Sequence, residues 1–205
     1  IRNRYIGSEN HCNIIPCKIN KINTRQVSVA NKRNNIKKIM YVLSFYPCDT
    51  IGPSPMLFTP VAIDFQRNIF RILSDLGFDI VIKPHPGSPQ QAPQELLDEY
   101  NIELVTDRFE DSLDNIDLVM FDHPMTTTWG YALMTKIPVV YFDFGTLSLP
   151  DWAVDLLGKR CSIVKGWFDS ENRAIIDWSK LPKSINESLC KTDSSYVDVV
   201  IGVNS

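Results

Sequence analysis

The chain has 205 residues, 44% of them hydrophobic and 22% charged, with a net charge of -3. That composition describes a globular protein with ample material for a core, built as one large domain or one and a half. Its apolar runs fall far short of the ~20 residues of a bilayer-spanning helix, and five cysteines without short paired spacing argue against a disulfide scaffold or a structural zinc site.

The charge is uneven. Residues 1–38 hold nine of the 21 Lys/Arg and one of the 24 acidic residues, leaving 12 and 23 for the remainder. A basic arm of this kind suits anionic lipid or a polyanionic glycan, and so admits peripheral membrane association. The favoured reading of 1–35 is a solvated, Asn-rich linker or the remnant of a preceding domain. The arm lacks interleaved aromatics, so no nucleic-acid partner is expected. No charged-then-apolar leader opens the chain. It begins as though cut from something longer, and a missing N-terminal domain is expected. Unpaired cysteines fit a reduced, cytoplasmic protein.

In chain order, the first buried strand is expected over 36–45, centred on Ile39, Met40, Tyr41, Val42 and Leu43. A loop at 44–59 follows, rich in Pro47, Gly52, Pro53 and Pro55, and its length marks it as functional or mobile. Thr59-Pro60 reads as a helix start, with a capping hydroxyl before a proline. Val61, Phe65, Ile69, Ile72, Leu73 and Leu76 then recur on one helical face, and Gly77 ends it. A strand at 78–82, a short helix at 93–100, a short strand at 102–105 and a short helix at 109–114 come next. Further on, a strand spans 116–121, a helix 127–135 and a strand 137–142. A helix from 149 to 157, a last strand at 161–164 and a helical stretch from 175 to 189 complete the pattern. Strands alternating with helices predict an α/β fold with a Rossmann-like, doubly wound parallel sheet over 36–190, followed by a tail at 191–205.

Two strand ends carry the chemistry. Ile80-Val81-Ile82 stops at Lys83-Pro84-His85-Pro86-Gly87, because proline lacks the amide proton a central strand needs. The stop displays Lys83 and His85 at the carboxyl end of a strand, where open α/β sheets bind ligands. The second end runs Phe121-Asp122-His123-Pro124-Met125-Thr126-Thr127-Thr128. The flanking prolines stiffen the backbone at His85, which suits hydrogen bonding to a phosphate oxygen. Thr126, Thr127 and Thr128 open a helix. They serve either as ordinary caps or as part of an anion site, with the helix amides and dipole aimed outward.

Asp122, His123 and Asp143, the last ending another strand, are read as supporting groups that orient neighbours. One carboxylate beside one imidazole is too few ligands for a metal. The chain contains no Gly-x-Gly-x-x-Gly, Walker loop or Gly-x-Ser-x-Gly, which disfavours dinucleotide oxidoreduction, P-loop phosphoryl transfer and hydrolase elbows.

Taken together, Lys83-Pro84-His85-Pro86, residues 117–128 and residues 132–140 resemble the carboxyl-terminal half of GT-B transferases with a His-Pro motif and a Ser/Thr pair. That group includes bacterial capsule polysialyltransferases, Kdo transferases and CDP-glycerol glycerophosphotransferases. The resemblance covers roughly residues 36–165. It implies two Rossmann-like domains, the second binding a nucleotide-activated donor, CMP- or CDP-linked in preference to UDP, with no cofactor or metal required.

On this resemblance His85 contacts the donor phosphate, and Thr126 and Thr127 stand where the family's hydroxyl pair grips it. Lys83 and Thr128 lie alongside. The donor would be a nucleotide sugar or CDP-polyol and the acceptor a glycan or lipid-linked chain, in capsule or cell-envelope synthesis at the inner face of the membrane. The family's catalytic base comes from its first domain, so no catalytic residue is assigned, and the resemblance implies a fragment that binds donor without catalysing alone. Tyr131 replaces a glutamate that many relatives place after the hydroxyl pair, and Lys136-Ile137-Pro138 replaces Gly-Lys-Pro. Two rival readings are a nucleotide-sugar epimerase on the same fold and a non-catalytic binding or scaffold module.

Overall fold

The computed structural model describes residues 36–43, 57–86, 92–124, 126–146 and 148–202. The basic arm at 1–35 and most of the Pro/Gly-rich loop lie outside the described residues, as do Gly87 and Met125.

Seven strands form one sheet: β1 (Lys38–Val42), β2 (Asp79–Lys83), β3 (Glu103–Leu104), β4 (Leu118–Phe121), β5 (Val139–Asp143), β6 (Ser162–Phe168) and β7 (Ala174–Ile176). Their order is β3-β2-β1-β4-β5-β6-β7, parallel throughout except that β7 runs antiparallel to β6. The chain winds outward from β1 to β3, then returns to the other side of β1 to lay down β4. The carboxyl ends of β1 and β4 therefore flank a topological switch point, the place where open α/β sheets form their ligand crevice.

The helices are α1 (Thr59–Asp75), α2 (Gln94–Glu99), α3 (Thr127–Met134), α4 (Asp151–Arg160) and α5 (Leu181–Ser188). Side chains alternate across the sheet, as strand geometry requires. Ile39, Tyr41 and Leu43 point into a core with α1, α2 and α5. Met40 and Val42 point the other way, into a core with α3, α4 and the 3-10 turns at Phe109–Asp111 and Leu113–Asn115. With both faces covered, the central strands are apolar runs rather than polar/apolar alternations. The fold is α/β, doubly wound and Rossmann-like, as the sequence predicts.

On α1 the stripe Ala62, Phe65, Gln66, Ile69, Phe70 and Leu73 is buried. Phe65 anchors it with edge contacts to Phe142 and Phe144 at centroid distances of 5.3 and 4.9 Å. The helix closes through bonds from the Phe78 amide to the Leu73 carbonyl and from the Gly77 amide to the Ser74 carbonyl. The positive φ of 79° at Gly77 makes that turn a glycine position.

Several local expectations change. Phe58, not Thr59, occupies the cap position of α1, and the buried Thr59 hydroxyl makes no hydrogen bond among the described residues. The 109–114 segment forms two 3-10 turns rather than one helix. Residues 174–176 are a strand, not the start of a helix, because Asp169 closes a hairpin before them. Its carboxylate accepts from the Glu171 and Arg173 amides at 2.9 Å each and from Arg173 Nε at 2.8 Å. Finally, α4 runs through Gly158 to Arg160, and Tyr196 and Val197 are buried in the α3-side core.

Candidate functional site

Register places the chemistry on one edge. Val42 pairs with Lys83 and with Phe121, and Phe121 pairs with Tyr141. Lys83, Val42, Phe121 and Tyr141 thus share one level across four strands. Two residues beyond it along their chains come His85, His123 and Asp143. Because β-strand side chains alternate, His85 and His123 follow the parity of Val81 and Phe121, which face α3.

Around His123 the environment is dry. The side chain is 6% exposed, and its Nδ1 is buried with no hydrogen-bond partner among the described residues. Burial lowers its pKa below the ordinary histidine value, and the nearby charge of His85 lowers it further. The two imidazoles are therefore close enough to sense each other. His85 is half-buried at the rim, and its Pro84 neighbour is buried.

Lys83 lies deeper than a surface lysine, at 9% exposed. Burial pushes its pKa down, against the opposing pull of the Asp107 and Glu110 carboxylates. Those two acids show that Lys83 already serves a local charge balance, in addition to the cationic character it lends the edge.

Local sequence then builds the helix start. Thr126 is the N-cap of α3, in extended conformation, and its Oγ1 accepts from the Trp129 amide at 3.1 Å. The capping role foreseen for these hydroxyls thus falls to Thr126. The first amides of a helix have no intrahelical acceptor, so those of Thr127 and Thr128 remain available at the positive end of the dipole. Thr127 is exposed and Thr128 half-buried. Trp129 fixes this first turn against the sheet, with its ring centroid 5.2 Å from both Phe121 and Tyr141.

Asp122 goes elsewhere. Its parity turns it toward α1, where its Oδ2 accepts from the Tyr41 hydroxyl at 2.9 Å and from Gln66 Nε2 at 3.3 Å. It is 5% exposed and braces the floor of the switch point rather than facing His123. Asp143 is engaged locally: its carboxylate accepts from the Gly145 amide at 2.9 Å and ion-pairs with Lys165 on β6.

The structure therefore brings His85, His123 and Lys83 to one face of the sheet edge, the face that α3 covers. It turns Asp122 to the opposite face and engages Asp143 with Lys165 on β6. Sequence reasoning missed Tyr41 and Gln66, although a glutamine on the apolar stripe of α1 is the kind of buried polar residue that signals a partner. It also missed Arg160, which is 2% exposed. Its guanidinium donates to the carbonyls of Leu133, Ala132, Thr135 and Ile137 at 2.8, 2.9, 2.8 and 3.0 Å, and to that of Lys191 at 3.3 Å. Burial lowers its pKa to about 10. The group fixes the carboxyl end of α3, the far end from the threonines.

Chemically, the edge can hold an anion. It offers two imidazoles, two open amides and a helix dipole on rigid strand and helix ends. Among the described residues no cluster of three His, Cys, Asp or Glu is arranged to hold a metal, and no helix is long and apolar enough to cross a membrane. No protein-family model matches the chain, and no curated protein matches it.

Proposed function

We propose that this chain is the donor-nucleotide-binding domain of a transferase, a glycosyltransferase or polyol-phosphate transferase, that builds cell-surface polysaccharide. The observation that carries the reading is His123 Nδ1, buried and without a partner among the described residues, just past the strand that feeds the start of α3, with His85 close enough to influence it. A buried nitrogen without a partner has a cost that a bound phosphate oxygen would remove. The donor phosphate sits against His85, His123 and the amides of Thr127 and Thr128, and these groups stabilise charge developing on the leaving nucleotide. The donor is a CMP- or CDP-linked sugar or polyol, a choice that rests on the His-Pro and threonine motifs. The acceptor is a glycan or lipid-linked chain at the inner face of the cell membrane, and the catalytic base is supplied by a further domain.

The test is calorimetric titration with CMP, CDP and UDP, beside His85→Ala. Cytidine-selective binding weakened by about 1.5–3 kcal/mol in the variant, the scale of a hydrogen bond to a charged group, supports the reading. A folded protein that binds none of the three overturns it.

A further inference from the structure

A second feature lies on the same edge, outside the histidine site. Between the ends of β5 and β6 and the start of α4 there is a cavity of about 330 Å³. That is the small end of the range for organic ligand sites. Ile163 forms one apolar wall, and Leu149 and Val154 form others. Asp143, Lys165 and Asp151 supply its charged groups.

These charged groups differ in what they have left to offer. Asp143 is held in place by the Gly145 amide and by Lys165, and Tyr141 hydrogen-bonds it as well. Asp151 is exposed and makes no hydrogen bond or ion pair among the described residues. At the first position of α4 it favours the helix dipole, which is sufficient reason for an acid there. It also leaves two carboxylate oxygens free at the wall of a cavity.

We propose that this cavity takes the nucleoside of a ribonucleotide, with the base between the Ile163 and Leu149/Val154 walls and the ribose hydroxyls donating to Asp151. A carboxylate accepting from ribose hydroxyls is how many doubly wound folds select ribonucleotides. Reach supports it. Asp143, at the end of β5, and His123, two residues past β4, each lie two residues beyond the paired Tyr141 and Phe121 of neighbouring strands about 5 Å apart. A phosphate at the start of α3 and a nucleoside under the start of α4 are thus within the span of one nucleotide. The ligand class rests on the nucleotide reading above, and its place rests on the cavity.

The experiment titrates the full chain with CMP, 2′-deoxy-CMP and inorganic pyrophosphate, following binding by calorimetry and by the methyl signals of Ile163 and Val154. Expected is CMP binding about tenfold or more tighter than its deoxy analogue, the scale of one hydrogen bond to a charged group. Asp151→Asn, an exposed substitution, should abolish that preference. Val154→Trp should block CMP while leaving pyrophosphate bound. Equal affinity for the ribo and deoxy forms, or CMP binding untouched by Val154→Trp, overturns the assignment. Pyrophosphate binding lost in His85→Ala without any CMP preference leaves the phosphate site standing and removes the cavity. CMP shifting the Ile163 methyls with no effect of His85→Ala does the reverse, and binding of no probe removes both.

Discussion

Tyr41 on β1 donates its hydroxyl to Asp122 Oδ2 just past β4 at 2.9 Å, bridging the two strands that flank the switch point. The bond lies in the core, with Tyr41 fully buried and edge-on to Phe70 at 5.3 Å. Removing the hydroxyl strips a buried carboxylate of a donor, and nothing of similar shape replaces it. Tyr41→Phe should therefore lower stability by about 1–3 kcal/mol, seen as a reduced urea midpoint at unchanged m-value. A change within about 0.3 kcal/mol would mean that the Tyr41 hydroxyl is dispensable to Asp122.

His123 predicts a pH dependence. Its folded-state pKa is lowered, so between that value and about 6.5 the unfolded chain binds more protons than the native one. Stability is full above about 6.5 and falls as the pH drops through that window. His123→Gln should flatten this part of the stability curve, measured by urea titration from about pH 7 to pH 5. An unchanged slope would locate the titration elsewhere.

Thr126 separates capping from ligand binding. Thr126→Ala should cost about 0.5–2 kcal/mol through loss of the bond to the Trp129 amide. Thr126→Asp restores a cap and even favours the helix dipole, but sets a negative charge where the phosphate is proposed to sit. The Asp variant should thus be as stable as wild type and bind CDP at least tenfold more weakly, by calorimetry. Full CDP affinity in a stable Thr126→Asp protein would remove α3 from the site.

Gly166 on β6 tests the packing on the α1 face of the sheet. A Cβ there would clash with the Phe144 ring, and that ring is already wedged against Phe65 at 4.9 Å. Gly166→Ala should cost about 1–3 kcal/mol in thermal or chemical unfolding, as overpacking does.

Much of this architecture is legible in the chain because buried parallel strands must be apolar on both faces. Ile39 to Leu43, Ile80 to Ile82 and Val139 to Phe142 show that composition, and prolines punctuate two of the strand ends. The His-Pro positions were legible for the same reason, and the register sets both histidines at one level. The rest depends on partners far apart in sequence. Nothing local says that Asp122 turns to Tyr41 and Gln66, since that follows from parity across neighbouring strands. Gly158 looks like a helix stop, yet α4 continues to Arg160 because five carbonyls await its guanidinium. Ala174-Ile175-Ile176 is too short to read as a strand until Asp169 folds the chain back.

Arg160 has a mechanical consequence. A helix that points its amino end at an anion is pulled along its own axis when the anion binds. Here the opposite end is tethered to a single side chain from α4 through four bonds to the last turn of α3 and the segment after it, as far as Ile137. Axial recoil of α3 would have to stretch all four together. The aim of the Thr127 and Thr128 amides is thus set before any ligand arrives, by a residue at the wrong end of the helix to touch it.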